Sequence, residues 1–233
     1  MLLLLLAILV AGRWIHSHWM LPRTLRKAEL SWDSGSPASE TADLLDSTHF
    51  AGGELGYRLH LLLGRARFAQ GFRNQAWSDF LQAQFLRLPL WKRLLVQPFF
   101  RALPKRIRDW RLHYGRLLLR LAPSMPQLAH RLGILHLRRN QEGDVAQAWE
   151  HFRTVLPLAA EDPLLLEDLM LSGLGRQEFA LAEQALALLM QRHGDPRLPW
   201  DRSTPSAYLL QQGRAAEALA VSRTLPPPYR AEP

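Results

Sequence analysis

The sequence predicts an all-α fold, an α-solenoid of about five helical hairpins preceded by a single membrane-anchor helix. Apolar residues recur at spacings of three and four through most of the chain, as they do on one face of a helix. Five prolines, at positions 89, 123, 163, 196 and 226, are separated by 34, 40, 33 and 30 residues. A period near 34 is typical of antiparallel helix pairs stacked along one axis. An uncharged apolar run at the N-terminus predicts the anchor.

The N-terminal run carries no charge from residue 2 to residue 12, and Arg13, Trp14 and Trp19 follow it. We interpret residues 1–22 as a transmembrane or membrane-anchor helix, because Arg13 can extend its charge toward the interface and tryptophans favour the headgroup level. A cleaved signal peptide is one alternative, although no basic stretch precedes the run. A core helix or an interfacial helix is the other. Basic residues follow the run, so the positive-inside rule predicts that the bulk of the chain is cytoplasmic, with a periplasmic location as the alternative.

Residues 23–53 are predicted to form a flexible linker. Serine, glycine, proline, threonine and acidic residues dominate from residue 31 onward, a composition typical of spacers. The helical repeat domain then extends over residues 54–225. Residues 226–233 form a loose tail, because three consecutive prolines cannot continue a helix.

The repeat domain contains ten predicted helices and no predicted strand. Leu, Ala, Gln and Arg are abundant in it, and prolines and glycines separate the apolar periodic stretches. The predicted helices are 55–70, 73–88, 91–103, 106–121, 126–139, 144–157, 163–173, 178–193, 204–212 and 215–224.

Two of the predicted hairpins share a detailed pattern: a Leu-Gly pair, a glycine at the turn, an Ala-x-x-x-Phe segment and a closing proline. The packing residues of this pattern are Leu63, Gly64, Ala76 and Phe80 in one unit, Leu132, Gly133, Ala148 and Phe152 in the other, and Ala218 in the last unit. The pattern resembles the tetratricopeptide repeat. In such a repeat the small residues let the paired helices approach closely, and the phenylalanines fill the gap between neighbouring repeats.

The sequence also departs from that family. His60 and Ala129 stand where the repeat has tryptophan, and Arg67 and His136 stand where it has tyrosine. The unit over residues 90–123 fits only in its length and closing proline. The resemblance implies an architecture and a binding function, commonly in envelope assembly or quality control, but no particular partner, because the same repeat binds unrelated partners.

The basic residues are concentrated in residues 85–121. This segment contains ten basic residues and one acidic residue, Asp109, and the net charge of the whole chain is +8. Aromatic residues are interleaved with them. The segment can lie on an anionic membrane, bind nucleic acid or hold an acidic peptide. It can also be an ordinary solvated face over a packed core. The neighbouring anchor favours the membrane over nucleic acid, which we regard as an unlikely partner.

No catalytic residue, metal site or cofactor is predicted, and we expect a protein that is not an enzyme. The chain lacks cysteine, a phosphate-binding loop, a nucleophile elbow and a His-Glu-x-x-His motif. The candidate partner-binding residues are Arg67, Arg73, Arg108, Arg111, His136 and Arg139.

The sequence therefore predicts a membrane-anchored scaffold that mediates protein–protein interaction, with a protein or peptide partner in the solenoid groove. The membrane is contacted through residues 1–22, and residues 85–121 are a candidate second contact. The alternative is peripheral binding of an anionic membrane or of nucleic acid through residues 85–121. The salt dependence of binding distinguishes these functions, because phosphate or headgroup binding weakens steeply as ionic strength rises, whereas binding of an apolar peptide in the groove should persist. The oligomeric state is not predicted.

Overall fold

A computed structural model describes residues 20–46, 53–100, 109–195 and 198–223 of the chain. Within these ranges every regular element is helical and no strand occurs, which confirms the predicted all-α class. The helices are Leu21–Asp33 (α1), Ala38–Asp46 (α2), Gly53–Ala69 (α3), Arg73–Arg87 (α4), Leu90–Phe100 (α5), Asp109–Leu121 (α6), Pro126–Arg139 (α7), Asp144–Val155 (α8), Pro163–Gly175 (α9), Phe179–His193 (α10), Ser203–Gln211 (α11) and Ala215–Arg223 (α12). A short 3-10 turn, Leu156–Leu158, extends α8.

Helices α3 to α12 correspond one to one to the ten predicted helices. Local signals mark several of their ends. Proline opens α7 and α9, where its missing N–H costs nothing. Glycines with positive φ, at Gly71, Gly143 and Gly213, form the turns between paired helices. Turn chemistry and apolar periodicity together therefore located these helices from sequence alone.

The prediction of a flexible linker over residues 23–53 is wrong for residues 23–46, where α1 and α2 lie. Helix α1 buries Leu25, Ala28 and Trp32 at spacings of three and four, and α2 buries Leu45. Helix α2 packs on both α1 and α3. The serine- and glycine-rich stretch between the two helices is a tight turn with Gly35 at φ +82°, so the composition that suggested a spacer belongs to a helix connection.

The predicted anchor over residues 1–22 lies outside the described residues, apart from its last three, and so does the predicted tail over 226–233. Among the helices that the structure describes, none combines the length and the apolar character needed to cross a membrane.

The chain divides into two compact units, Met1–Arg87 and Leu88–Pro233. In the first unit α3 and α4 form a hairpin that α1 and α2 join through α3. In the second unit consecutive helices pair as α5 with α6, α7 with α8, α9 with α10 and α11 with α12. Helix α6 also contacts α7, and α9 contacts α11.

The Leu-Gly and Ala-x-x-x-Phe residues lie inside their own hairpins. A Cβ atom added to Gly64 would lie 2.9 Å from the ring of Phe80, and one added to Gly133 would lie 2.3 Å from the ring of Phe152. Both rings are fully buried, as are Leu63, Ala76, Leu132, Ala148 and Ala218. Each phenylalanine therefore occupies the space that the missing glycine side chain leaves on the partner helix of its hairpin.

Candidate functional site

Arg67, a predicted partner-binding residue, belongs to a polar cluster inside the first unit. Its guanidinium donates to Asp79 Oδ2 at 2.8 Å and to Asp46 Oδ1 at 2.6 Å. His60 Nδ1 lies 3.2 Å from the second oxygen of Asp79. Asp79 is buried on α4, so this cluster joins α3 to α4 and to the end of α2. Arg67 thus stabilises the packing of three helices.

His136 and Arg139 have an equivalent role between α7 and α8. Asp144 at the start of α8 is fully buried and accepts hydrogen bonds from His136 Nδ1 at 2.7 Å, from Arg139 Nε at 2.9 Å and from the Gln141 backbone N–H at 2.8 Å. The Arg139 guanidinium and the His136 bond hold the pKa of Asp144 well below its usual range, although burial opposes them. Arg139 also donates to Asp109 at the start of α6.

The other predicted partner-binding residues also make internal contacts where they are described. The guanidinium of Arg73 lies over the ring of Phe68 at 5.2 Å, and that of Arg111 lies over the ring of Phe99 at 5.8 Å. Arg108 lies outside the described residues. Arg67 therefore belongs to an ion cluster in the first unit, and His136 and Arg139 belong to another in the second unit.

The second unit contains a cleft between α9 and α11 that sequence reasoning missed. Its volume is about 530 Å³. The lining residues are Leu171, Leu174, Gly175, Phe179, Thr204, Ala207, Tyr208, Gln211 and Gln212. None of the nine carries a formal charge at neutral pH. This volume lies within the range of pockets that bind small ligands.

Tyr208 of α11 forms one wall of this α9–α11 cleft. Its ring stacks on Phe179, the first residue of α10, at 5.0 Å between centroids and 23° between planes. The Tyr208 hydroxyl lies 3.4 Å from Glu183 Oε1. Burial and the neighbouring Glu183 carboxylate raise the pKa of Tyr208, so the hydroxyl keeps its proton and acts as a donor.

Buried polar side chains fix α7 to the start of α9, and α9 to the residues just before α11. Gln127 of α7 donates to Asp162 Oδ2 at 2.9 Å, and Asp162 caps α9 by accepting from the Leu165 N–H at 3.0 Å. Glu167 of α9 accepts from the Asp201 N–H at 2.8 Å, just before α11. These two links join residues 35 and 34 positions apart. Each link therefore spans a length of chain close to the period of about 34 residues that the prolines predicted.

The connection before α11 is packed around a buried arginine. Arg202 donates to the carbonyl oxygens of Leu198 at 2.9 Å and Asp195 at 3.1 Å, and its guanidinium lies 4.4 Å from the ring centroid of Trp200. Burial lowers the pKa of Arg202, while Asp195 and Glu167 act in the opposite direction. This packing orders the connection that leads into α11.

A second, more apolar cleft of about 260 Å³ lies between α10 and α12. Its floor consists of Leu186, Ala187, Met190, Leu209, Ala220 and Val221. Charged side chains form its rim: Arg214 donates to Glu217 at 2.8 and 2.6 Å and also pairs with Glu183. Because the only cation among its lining residues is already shared by two carboxylates, this α10–α12 cleft offers a ligand no unpaired cation.

The described residues include no group of three or more His, Asp or Glu side chains placed to hold a metal ion. Two histidines near the α7–α8 hairpin are kept neutral by their surroundings. Burial lowers the pKa of His130 to about 4, and burial together with His136 lowers the pKa of His151 to about 4. These rings pack against Phe152 and His136, at 5.5 and 5.6 Å between centroids.

No family model, curated protein or solved structure matches the chain.

Proposed function

We propose that this chain is a membrane-anchored, tetratricopeptide-like scaffold that binds a segment of another protein in the α9–α11 cleft. The observation that carries the proposal is the position and chemistry of that cleft. It lies between the first helices of two consecutive hairpins, and all nine lining residues are uncharged. A surface of this kind favours a neutral, partly apolar chain segment over a charged ligand.

A solenoid arrangement of the hairpins is part of this proposal. It is supported by the links between Gln127 and Asp162 and between Glu167 and Asp201, which span 35 and 34 residues. It is also supported by the direct contact between α9 and α11. Stacked first helices form the concave side of such repeats, which is where extended segments bind.

The chemistry of the lining residues specifies the partner further. Leu171, Leu174 and Phe179 provide apolar contact, whereas Gln211 and Gln212 provide amide donors and acceptors. Side-chain amides can pair with the backbone of an extended peptide, and the apolar wall can accept its hydrophobic side chains. We infer a partner segment with hydrophobic residues and little charge.

The remaining parts of the proposed function rest on the sequence. Residues 1–22 hold the scaffold at a membrane, and the body of the chain is cytoplasmic. The protein binds without catalysing a reaction and needs no cofactor. A process in the cell envelope is the setting that the repeat resemblance suggests.

A binding assay on the full-length protein in nanodiscs tests the proposal. Peptides are selected from a displayed random library, and the affinity of the best one is measured by fluorescence anisotropy. We expect hydrophobic, weakly charged sequences whose affinity changes little between about 0.1 and 1 M salt. Ala207→Glu places a charge in the α9–α11 cleft and is expected to weaken binding at least about tenfold.

The matched control is Ala187→Glu, which places the same charge on α10 in the other cleft. Both alanines are exposed on helices, so neither substitution disturbs the core. Peptide binding should survive Ala187→Glu. Loss of binding with Ala187→Glu but not with Ala207→Glu, or release of the peptide by salt, contradicts the proposal.

A further inference from the structure

Helix α5 presents an apolar face to solvent. Leu90, Trp91, Leu94 and Leu95 are 67, 54, 63 and 42 % exposed. Within this helix only Val96 and Phe99 are buried. Single exposed apolar residues are ordinary, but four large ones on one face of an eleven-residue helix are not explained by the packing of the second unit.

The exposed residues form a continuous strip along α5. At 100° per residue, Leu90, Leu94, Trp91 and Leu95 cover about 140° of the helix circumference. Lys92 and Arg93 follow on the two sides of this strip. The Lys92 ammonium donates to the Leu121 carbonyl oxygen at 2.5 Å, and Arg93 donates to the Leu88 carbonyl oxygen at 3.2 Å.

The charge around the strip is positive. Helices α5 and α6 together carry five basic residues and one carboxylate. That carboxylate, Asp109, pairs with Arg139 of α7. The basic residues are Lys92, Arg93, Arg111, Arg116 and Arg120. A positive potential next to an apolar strip complements a surface that is negative outside and apolar beneath.

We propose that α5 lies on the surface of an anionic bilayer, with Leu90, Trp91 and Leu94 at the boundary between headgroups and acyl chains. An interfacial helix needs this combination of an apolar strip, a tryptophan and flanking cations. Anionic lipid headgroups attract the basic residues of α5 and α6. This contact is separate from the α9–α11 cleft and does not depend on the function proposed for it.

The composition of the strip favours a lipid surface over nucleic acid. Single-stranded nucleic acid is bound by aromatic rings on which bases stack. The α5 strip contains one aromatic residue, Trp91, among three leucines. Aliphatic side chains offer bases no stacking surface, whereas they partition readily into the acyl region of a bilayer.

The absence of cysteine allows a test at a single position. Leu94→Cys in the full-length protein is labelled with an environment-sensitive fluorophore and reconstituted into vesicles of phosphatidylcholine with or without about one-third phosphatidylglycerol. We expect a blue-shifted emission and several-fold weaker quenching by acrylamide in the anionic vesicles, both reversed by high salt. The matched control is Ala216→Cys on the exposed side of α12, whose label should respond to neither vesicle type.

A second variant tests whether the apolar strip, and not the label itself, causes the blue shift. Leu90→Gln combined with Trp91→Gln removes two exposed apolar side chains, so the fold is retained, and should reduce the blue shift at position 94 by at least half. No shift in anionic vesicles, an equal shift in neutral ones, or the same shift at position 216 overturns the proposal. A shift on adding single-stranded RNA to the detergent-solubilised protein, without one in vesicles, overturns it in favour of nucleic acid.

Discussion

Replacing Gly133 by alanine should destabilise the α7–α8 hairpin. The added Cβ would lie 2.3 Å from Phe152 Cε1, whereas ordinary contacts begin at 3.4 Å. The fully buried Phe152 ring must therefore retreat by about 1 Å, and overpacking of this kind costs about 1–3 kcal/mol. Alanine recovers about 1 kcal/mol through its helix propensity. Because an approach of 2.3 Å is a severe overlap, the overpacking cost lies in the upper half of its range, and we expect a net loss of about 1–2 kcal/mol.

Two other glycines act as internal controls for this prediction. At Gly64 the Cβ would lie 2.9 Å from the Phe80 ring, so a shift of about half an ångström suffices and the two effects should nearly cancel. At Gly175 no atom lies within 4 Å of the added Cβ, so Gly175→Ala should be neutral or slightly stabilising.

Native-state hydrogen exchange of the amides in α7 and α8 is the appropriate assay. A chain with two compact units has no single free energy of unfolding, whereas exchange reports the stability of each helix pair. We expect Gly133→Ala to accelerate exchange about 5–30-fold. Phe152→Leu should then cost less in the Gly133→Ala background than in the wild type. Equal protection in Gly133→Ala and wild type, or a larger effect of Gly64→Ala, refutes the packing argument.

Three further predictions concern buried polar groups. Asp144→Ala leaves Arg139 without its buried partner and should cost about 3–5 kcal/mol, seen as a lower melting temperature. In the wild type the folded pKa of Asp144 is depressed, so the stability that this contact contributes is complete above the unfolded pKa of 3.8 and should decline as the pH falls from 3.8 toward the folded pKa. Burial raises the pKa of Asp162 to about 7, above its unfolded value of 3.8, so stability should fall as pH rises from about 4 to 7. Asp162→Asn should abolish that fall, as measured by thermal melts at a series of pH values. The substitution should keep the cap of α9, since Gln127 has an unpaired Oε1 that can accept the new amide. An unchanged pH profile would contradict the assignment of this pH dependence to Asp162. Arg202→Met leaves two carbonyl oxygens without donors and should cost about 2–4 kcal/mol in chemical unfolding of the second unit, a loss that an intact transition midpoint would disprove.

Helix positions were predictable because their signals are local. Apolar spacing, turn glycines such as Gly143 and opening prolines such as Pro163 each act within a few residues. The same local evidence misassigned residues 23–46, because the serines and Gly35 of a helix connection resemble the composition of a spacer. Only the burial of Leu25 and Trp32 by other helices distinguishes the two, and burial is not local.

The candidate site was less predictable than the fold. Arg67 and His136 are charged or polar residues on helices, which suggested a binding face, but their carboxylate partners Asp79 and Asp144 lie on the facing helix. Sequence spacing does not reveal which polar residues face each other across a hairpin. One signal was available: an aspartate directly before proline is a strong N-cap candidate, and Asp162 caps α9. The cleft at Tyr208 gave no such signal, because uncharged residues on a helix cannot be told from core-packing residues by sequence.

We propose that a partner segment occupies the α9–α11 cleft in the membrane-bound protein, and site-specific photo-crosslinking can detect that segment in place. A photoreactive benzoylphenylalanine replaces Ala207 in the cleft or, as the control, Ala216 on α12, and full-length protein in its native membranes is irradiated at low and high salt. We expect one discrete adduct at position 207, in the same yield at low and high salt. Gln211→Glu should suppress this adduct, and position 216 should give none. No adduct at position 207, or the same adducts at both positions, would contradict it.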